Sequence, residues 1–323
     1  MHILDKIKRP VAEEFAAYNN ALEASVTTEN PILKQLTAFV LASRGKQMRP
    51  ILALLVAQMC GEINPKTIQG AIAVELLHVA SLIHDDVLDN SMERRSKPSV
   101  NAVFENKVAI LGGDFLLSKA LENAAKTDNV EIVRSISIIG SKLAEGEILQ
   151  LANAKKTQMT EDIYFEIILK KTATLFSSCA QIGALSVGAT HDEVERLNIF
   201  GESLGICFQL RDDIFDYYEE KIGKPTGNDI REGKITLPML YALRIASPTE
   251  NKEVMKLLQQ VDLSDNEVAF LQQFSIQKGG VAYTRTKMLG YRDRALEQLS
   301  IFADTPSRQA LIDYTRYVVD RAS

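Results

Sequence analysis

Two short acidic clusters carry the residues best equipped for chemistry. Asp85, Asp86 and Asp89 close a long apolar helical pattern, and Arg94 and Arg95 follow within two turns. Further on, Asp212, Asp213 and Asp216 again end an apolar helical run, and Lys224 and Lys234 follow in a glycine- and lysine-rich connection. Residues four apart on a helix share a face, so Asp85 points with Asp89 and Asp212 with Asp216, while Asp86 is turned by about 100°. Carboxylates this close repel one another, and a cation between them keeps them ionised. Hard oxygen donors at this density suit Mg²⁺, which takes one or two carboxylates and completes its shell with phosphate oxygens and water. The arginine forks and lysines beside them suit the same phosphate. An EF-hand would need a ligand at every second residue and a glycine at the sixth place, and neither segment has them.

One acidic cluster alone reads equally well as a solvated helix end. Two, each trailed by cations, point to one joint site. If their helices face each other in a bundle, the aspartates form opposite walls that clamp a diphosphate through metal ions. In Gly45-Lys46-Gln47-Met48-Arg49-Pro50, Lys46 and Arg49 are cations three residues apart, which taken alone would be a solvated loop. A lone histidine on an apolar helix is usually a core residue. His78, however, precedes Asp85 by two helical turns on nearly the same face, which favours a ligand role. His84 points elsewhere and reads as structural. Lys170, Lys171 and Thr172 lie mid-helix, as does Gln209 just ahead of the second cluster.

The elements that must position these groups are helices throughout. Leu4, Ile7, Val11 and Phe15 mark a first amphipathic helix. Asn30-Pro31 and Asn64-Pro65 are cap-and-proline starts, the second opening a helix that reaches about Asn90. A short segment from Val100 to Asn106 leads into a helix over Ala109 to Lys126, followed by helices over Asn129 to Ala152, Thr160 to Val187 and Asp192 to Tyr218. Further helices begin near Ile235, Thr249, Ser264 and Gly280, and the last covers Pro306 to Arg321. No segment alternates with period two. The expected fold is a single all-α domain spanning residues 1–323, a large helical bundle.

Composition narrows the function classes. A chain of 323 residues, 46% of them hydrophobic, can bury a large core. A formal charge of -5 argues against nucleic acid as a partner. MHILDKIKRP lacks the apolar core of a secretory signal, and no run of 18 uncharged apolar residues exists, so a soluble, cytoplasmic protein with no transmembrane segment is expected. Cys60, Cys179 and Cys207 lie far apart in apolar runs and read as core thiols rather than disulfide partners.

The two DDxxD segments, the Gly45 to Pro50 loop, His78, Arg94, Arg95, Lys171-Thr172, Gln209, Lys224 and Lys234 stand in the order and spacing of one family. The chain resembles the trans-isoprenyl diphosphate synthases (polyprenyl synthetases), from the Lys46 loop to the Lys234 loop. The resemblance implies an isoprenoid-synthase bundle with a central cavity. It implies an isopentenyl diphosphate site at Lys46, Arg49, His78 and Arg95. It places an allylic diphosphate on Arg94, Lys171, Thr172 and Gln209, with Lys224 and Lys234 as the second-motif lysines. Three Mg²⁺ ions with diphosphate bound are implied at Asp85, Asp89 and Asp212, with Asp216 in support. Ser96 stands where the family usually has glycine, which at a positive φ would strain the backbone by of order 1 kcal/mol and alter the aim of Arg95.

The implied reaction is ionisation of the allylic diphosphate, attack by the isopentenyl double bond, and loss of a proton to the departing diphosphate. Lys171, Thr172 and Gln209 are the implied catalytic residues. Thr172 and Gln209 either stabilise the cation through their oxygens or bond to each other between helices. Ala80 and Ser81, one turn before Asp85, are small where short-chain members carry an aromatic, so the sequence resembles the long-chain octaprenyl- and heptaprenyl-type branch that supplies quinone side chains. A tunnel floor is expected near Ile136, about 16 Å along its helix from Glu147. A homodimer is implied, with the very apolar Ala109 to Leu121 reading equally well as its interface or as buried core. Two alternatives stay open: a class I terpene cyclase, which would need no second diphosphate site, and a non-catalytic partner subunit of a synthase.

Overall fold

A computed structural model of the chain describes residues 3–94, 97–154, 159–218, 227–260 and 262–320. Arg95, Ser96 and Lys224 lie outside the described residues. The helices are, in order, α1 (Ile3–Lys8), α2 (Ala12–Ser25), α3 (Pro31–Ala42), α4 (Met48–Cys60), α5 (Pro65–Leu88), α6 (Val100–Ala125), α7 (Val130–Ala154) and α8 (Glu161–Ile168). They continue with α9 (Thr174–Ser186), α10 (His191–Phe215), α11 (Asn228–Arg231), α12 (Leu237–Ile245), α13 (Pro248–Leu258), α14 (Asp265–Gln277), α15 (Gly280–Gln298) and α16 (Pro306–Asp320). Two compact units emerge from the packing. One comprises the chain up to Ser141 with Leu175–Gly201 and Leu299–Tyr314; the other comprises Lys142–Thr174, Glu202–Gln298 and the chain from Thr315 onward.

The helix starts follow from local chemistry. Asn30 Oδ1 accepts from the backbone N–H groups of Ile32 and Leu33 at 3.0 and 3.1 Å, with Pro31 at the first helical position. Asn64 and Thr67 form a reciprocal cap on α5, as Ser247 with Glu250 do on α13 and Ser264 with Glu267 on α14. The short segment and the helix expected over Val100 to Lys126 are the two helical pieces of α6, joined at a kink at Glu105, whose φ of 65° and ψ of 159° are not helical. A strand pair was not expected: β1 (Glu93–Arg94) lies antiparallel to β2 (Lys97–Pro98), too short to show a period.

In the first unit α4 is the central rod, with every residue from Pro50 to Ala57 buried. Helix α9 comes against it closely enough that a Cβ on Gly183 would lie 2.4 Å from the Ala53 carbonyl oxygen. That contact is backbone, which cannot swing aside as a side chain can. Cys179 and Cys207 are core residues as expected, whereas Cys60 is half-buried; burial pushes the thiols of Cys60 and Cys207 up to about 12. Among the described residues no helix is long and apolar enough to cross a membrane. Gly183→Ala, which must force α4 and α9 apart, is expected to destabilise the protein by about 1–3 kcal/mol in denaturant unfolding, and an unchanged midpoint would refute this close approach.

Candidate active site

In the first unit α4 brings Arg49 to His78 on α5, the helix that the first acidic motif closes. Lys46 is exposed in the connection before α4, and the left-handed residue there is Gln47 (φ 50°) rather than Gly45. Gln47 holds that conformation with its side chain tied to Asn19 Oδ1 at 2.9 Å. Arg49, in the first turn of α4, reaches His78 on α5, with NH1 2.9 Å from Nε2. A guanidinium can only donate, so Nε2 accepts and the ring proton sits on Nδ1. The guanidinium also lies 5.1 Å from the Phe176 ring centre, and its buried Nε has no hydrogen-bond partner among the described residues. A buried cationic donor in want of an acceptor fits an anion such as a diphosphate oxygen.

Within the first motif, Asp89 is exposed, Asp85 is half-buried and Asp86 is 2% exposed. Asp86 is turned inward, where both of its oxygens take the Arg94 Nε at 2.9 Å and one takes NH2 at 2.7 Å. Arg94 is therefore aimed by Asp86, not by the outer aspartates. Asn101 Nδ2 braces the same turn through the Ser91 carbonyl at 3.1 Å.

The second unit repeats this division. Asp212 is exposed, while Asp213 is 1% exposed and receives hydrogen bonds from Gln209 Nε2 at 2.9 Å and from the Tyr164 hydroxyl. Arg211 lies between the Phe208 and Phe215 rings and pairs with Asp212 at 2.7 Å. Asp216 takes the backbone N–H groups of Asn228 at 2.9 Å and Asp229 at 3.1 Å, which makes it the anchor of the α11 turn as well as a member of the cluster. Lys234 pairs with Glu232 at 2.5 Å.

Lys171 and Thr172 sit in a π-helical turn, Leu169–Ala173, between α8 and α9. Such wide turns re-aim side chains and gather at functional sites. Thr172 Oγ1 donates to Gln209 Oε1 at 2.9 Å, so these two residues are brought together as expected. The Lys171 ammonium bonds to Gln150 Oε1 at 3.0 Å and pairs with Glu147. A Cβ on Gly146 would stand 2.8 Å from Lys171 Cγ, so glycine lets α7 approach this turn. Deeper on α5 and α7, Ala80 and Ile136 are buried, and Ser81 Oγ bonds to the His78 carbonyl at 2.8 Å.

Sequence reasoning missed Asp229, whose side chain stands among the second-motif carboxylates. Burial, then the charges of neighbours including Asp216, push its pKa up to about 6; burial followed by Asp229 pushes Asp213 up to about 8, and burial raises Asp216. Crowded carboxylates of this kind fit a divalent cation. Among the described residues no three acid, histidine or cysteine side chains form a metal cage, and an ion held by these carboxylates would need phosphate or water as its remaining ligands, which Mg²⁺ takes.

A family model described as Polyprenyl synthetase matches residues 30–274. The chain belongs to the polyprenyl synthetase family. It is 33% identical over 320 residues to the octaprenyl diphosphate synthase of Escherichia coli (strain K12), covering 98% of this chain and 99% of that protein. The crystal structure of a decaprenyl diphosphate synthase from Rhodobacter capsulatus matches with a TM-score of 0.94 at 35% identity, covering 99% of both chains. A geranylgeranyl pyrophosphate synthase from Bacteroides thetaiotaomicron matches with a TM-score of 0.86 at 39% identity, covering 99% of this chain and 100% of that one. Membership in the polyprenyl synthetases makes this an all-α prenyltransferase of isoprenoid biosynthesis.

The raised carboxyls set a pH dependence for the metal-free protein. A carboxyl held at about 8 in the fold but near 3.9 in the unfolded chain keeps its proton only when folded across that window, so stability falls as pH rises from about 4 to about 8. Thermal unfolding midpoints in chelator should decline over this range, and Asp213→Asn should flatten the upper part; a midpoint that climbs would contradict it.

Proposed function

We propose that the protein condenses isopentenyl diphosphate with an allylic diphosphate, adding five-carbon units head to tail to give a medium or long all-trans polyprenyl diphosphate. What supports this reading is the pattern repeated in both acidic motifs: the middle aspartate is buried as an organiser, while the outer ones are less buried. Bound Mg²⁺, held by Asp85, Asp89 and Asp212 with Asp216 in support, would supply the positive charge that makes the diphosphate a good leaving group. Arg94, Lys171, Lys224 and Lys234 are the cations assigned to that leaving group, with Thr172 of the π-turn and Gln209 of α10 as its polar partners. Arg49, His78 and Lys46, with Arg95, hold the second diphosphate so that its alkene lies at the reacting carbon.

The carbon–oxygen bond of the allylic diphosphate breaks and its electron pair leaves with the diphosphate. The alkene π pair then forms the new carbon–carbon bond, and a proton passes from the adjacent carbon to the departing diphosphate. The Thr172 and Gln209 oxygens, bonded to each other at 2.9 Å, are the groups assigned to stabilise the developing positive charge. Small, buried Ala80 beside Ser81 leaves room for a lengthening chain toward Ile136. Two copies pair through α6, where Leu111 is 64% exposed and Ile110 and Leu121 are exposed beside it.

Purified protein should incorporate radiolabelled isopentenyl diphosphate only with Mg²⁺ and an allylic primer, and Asp85→Asn or Asp212→Asn should lower kcat at least about a hundredfold. Incorporation that persists in chelator would end this reading, and product formed from allylic substrate alone would mark a cyclase. Chain length has its own readout: Ala80→Phe or Ser81→Phe should shift the product ladder to shorter chains, and an unaltered ladder removes these residues from length control.

A further inference from the structure

The buried Asp213 carboxylate has a partner that the reaction above does not use. Tyr164 lies on α8 with 5% exposure, and its hydroxyl is spent on Asp213 Oδ2, while Asp213 Oδ1 accepts from Gln209 Nε2 at 2.9 Å. The other end of the same amide, Gln209 Oε1, accepts from Thr172 Oγ1 at 2.9 Å. The three bonds are linked: Tyr164 and the Gln209 amide nitrogen both donate to Asp213, and Thr172 donates to the amide oxygen. An amide can be turned end for end with almost no change in shape, so its orientation is set by its neighbours. With its Oδ2 taken by the Tyr164 hydroxyl, Asp213 presents Oδ1 as an acceptor, which draws the NH₂ toward it and leaves the amide oxygen facing the π-turn. Tyr164 holds the second carboxylate oxygen, so Asp213 cannot rotate away. The π-turn is itself secured by Thr174 Oγ1 on the Leu169 carbonyl at 2.8 Å.

We infer that Tyr164 and Asp213 are positioning residues which hold the Gln209 amide with its oxygen, not its NH₂, toward Thr172 and the reacting allylic carbon. The inference rests on the prenyl-transfer reading. An oxygen placed beforehand beside developing positive charge stabilises it, whereas an amide free to turn presents N–H dipoles of the wrong sign for part of the time. The effect belongs to the ionisation step, so it appears in kcat and not in substrate binding.

Tyr164→Phe removes only the hydroxyl and keeps the ring against Phe165. It should lower kcat about tenfold with KM for both substrates within about twofold and the melting midpoint within about 3 °C. Gln209→Met should cost more, about thirtyfold, and adding Tyr164→Phe to it should bring no further loss beyond about twofold, because the hydroxyl acts only through the amide. Asp213→Asn, which lets the Gln209 amide turn, should behave as Tyr164→Phe does in both backgrounds. In the metal-free protein the Gln209 side-chain amide protons, assigned by their loss in Gln209→Met, should exchange with solvent about tenfold faster in Tyr164→Phe. Losses that multiply in the double variant, a loss confined to KM, or full activity in Tyr164→Phe would overturn the assignment while leaving prenyl transfer standing. Wild-type protein that transfers no prenyl group would overturn both.

Discussion

A carboxylate taken out of water must be met by hydrogen bonds or an opposite charge, and this constraint organises both acidic motifs. Asp86 and Asp213 are the residues that submit to it. Asp86 is met by the Arg94 guanidinium, Asp213 by Tyr164 and Gln209. Because these inner carboxylates need particular donors, they fix the direction of an arginine in one unit and of an amide in the other. Of the outer aspartates, Asp212 pairs with Arg211 and Asp216 anchors α11 through two backbone N–H groups. Inner and outer carboxylates are adjacent residues of one helix, about 100° apart.

Close backbone approach is the second condition. Gly183 lets α9 lie on α4 and Gly146 lets α7 lie on the π-turn, each at a distance a methyl group would not permit. The π-turn, Leu169–Ala173, widens the helix where Lys171 and Thr172 must face other elements. Arg49 and His78 meet across α4 and α5 because both helices are buried rods whose position leaves little freedom.

Electrostatics within each unit is matched to an anion and its metal. The Arg49 cluster presents a buried donor lacking an acceptor, and the second-motif cluster holds carboxyls at raised pKa through burial and mutual repulsion. Both are uncomfortable without a ligand. In the proposed reaction a diphosphate would meet the first and a divalent cation the second.

Much of this could be read in the chain itself. Helix content, the cap-and-proline starts at Asn30 and Asn64, the break within α6, the outer aspartates and the family follow from periodicities and short-range spacings, which are properties of consecutive residues. The pairing of Thr172 with Gln209 was one of two open readings, and distance decided it. What only the tertiary structure decided is which aspartate turns inward and what it meets there. Tyr164 lies 49 residues from Asp213, and nothing in a helical period marks a tyrosine for a carboxylate on another helix. The same holds for Asp229, for the π-turn and for the Arg49–His78 contact. Local propensity chooses the element and its exposed pattern, whereas partners across elements depend on how rods pack, and that is set by the whole core at once.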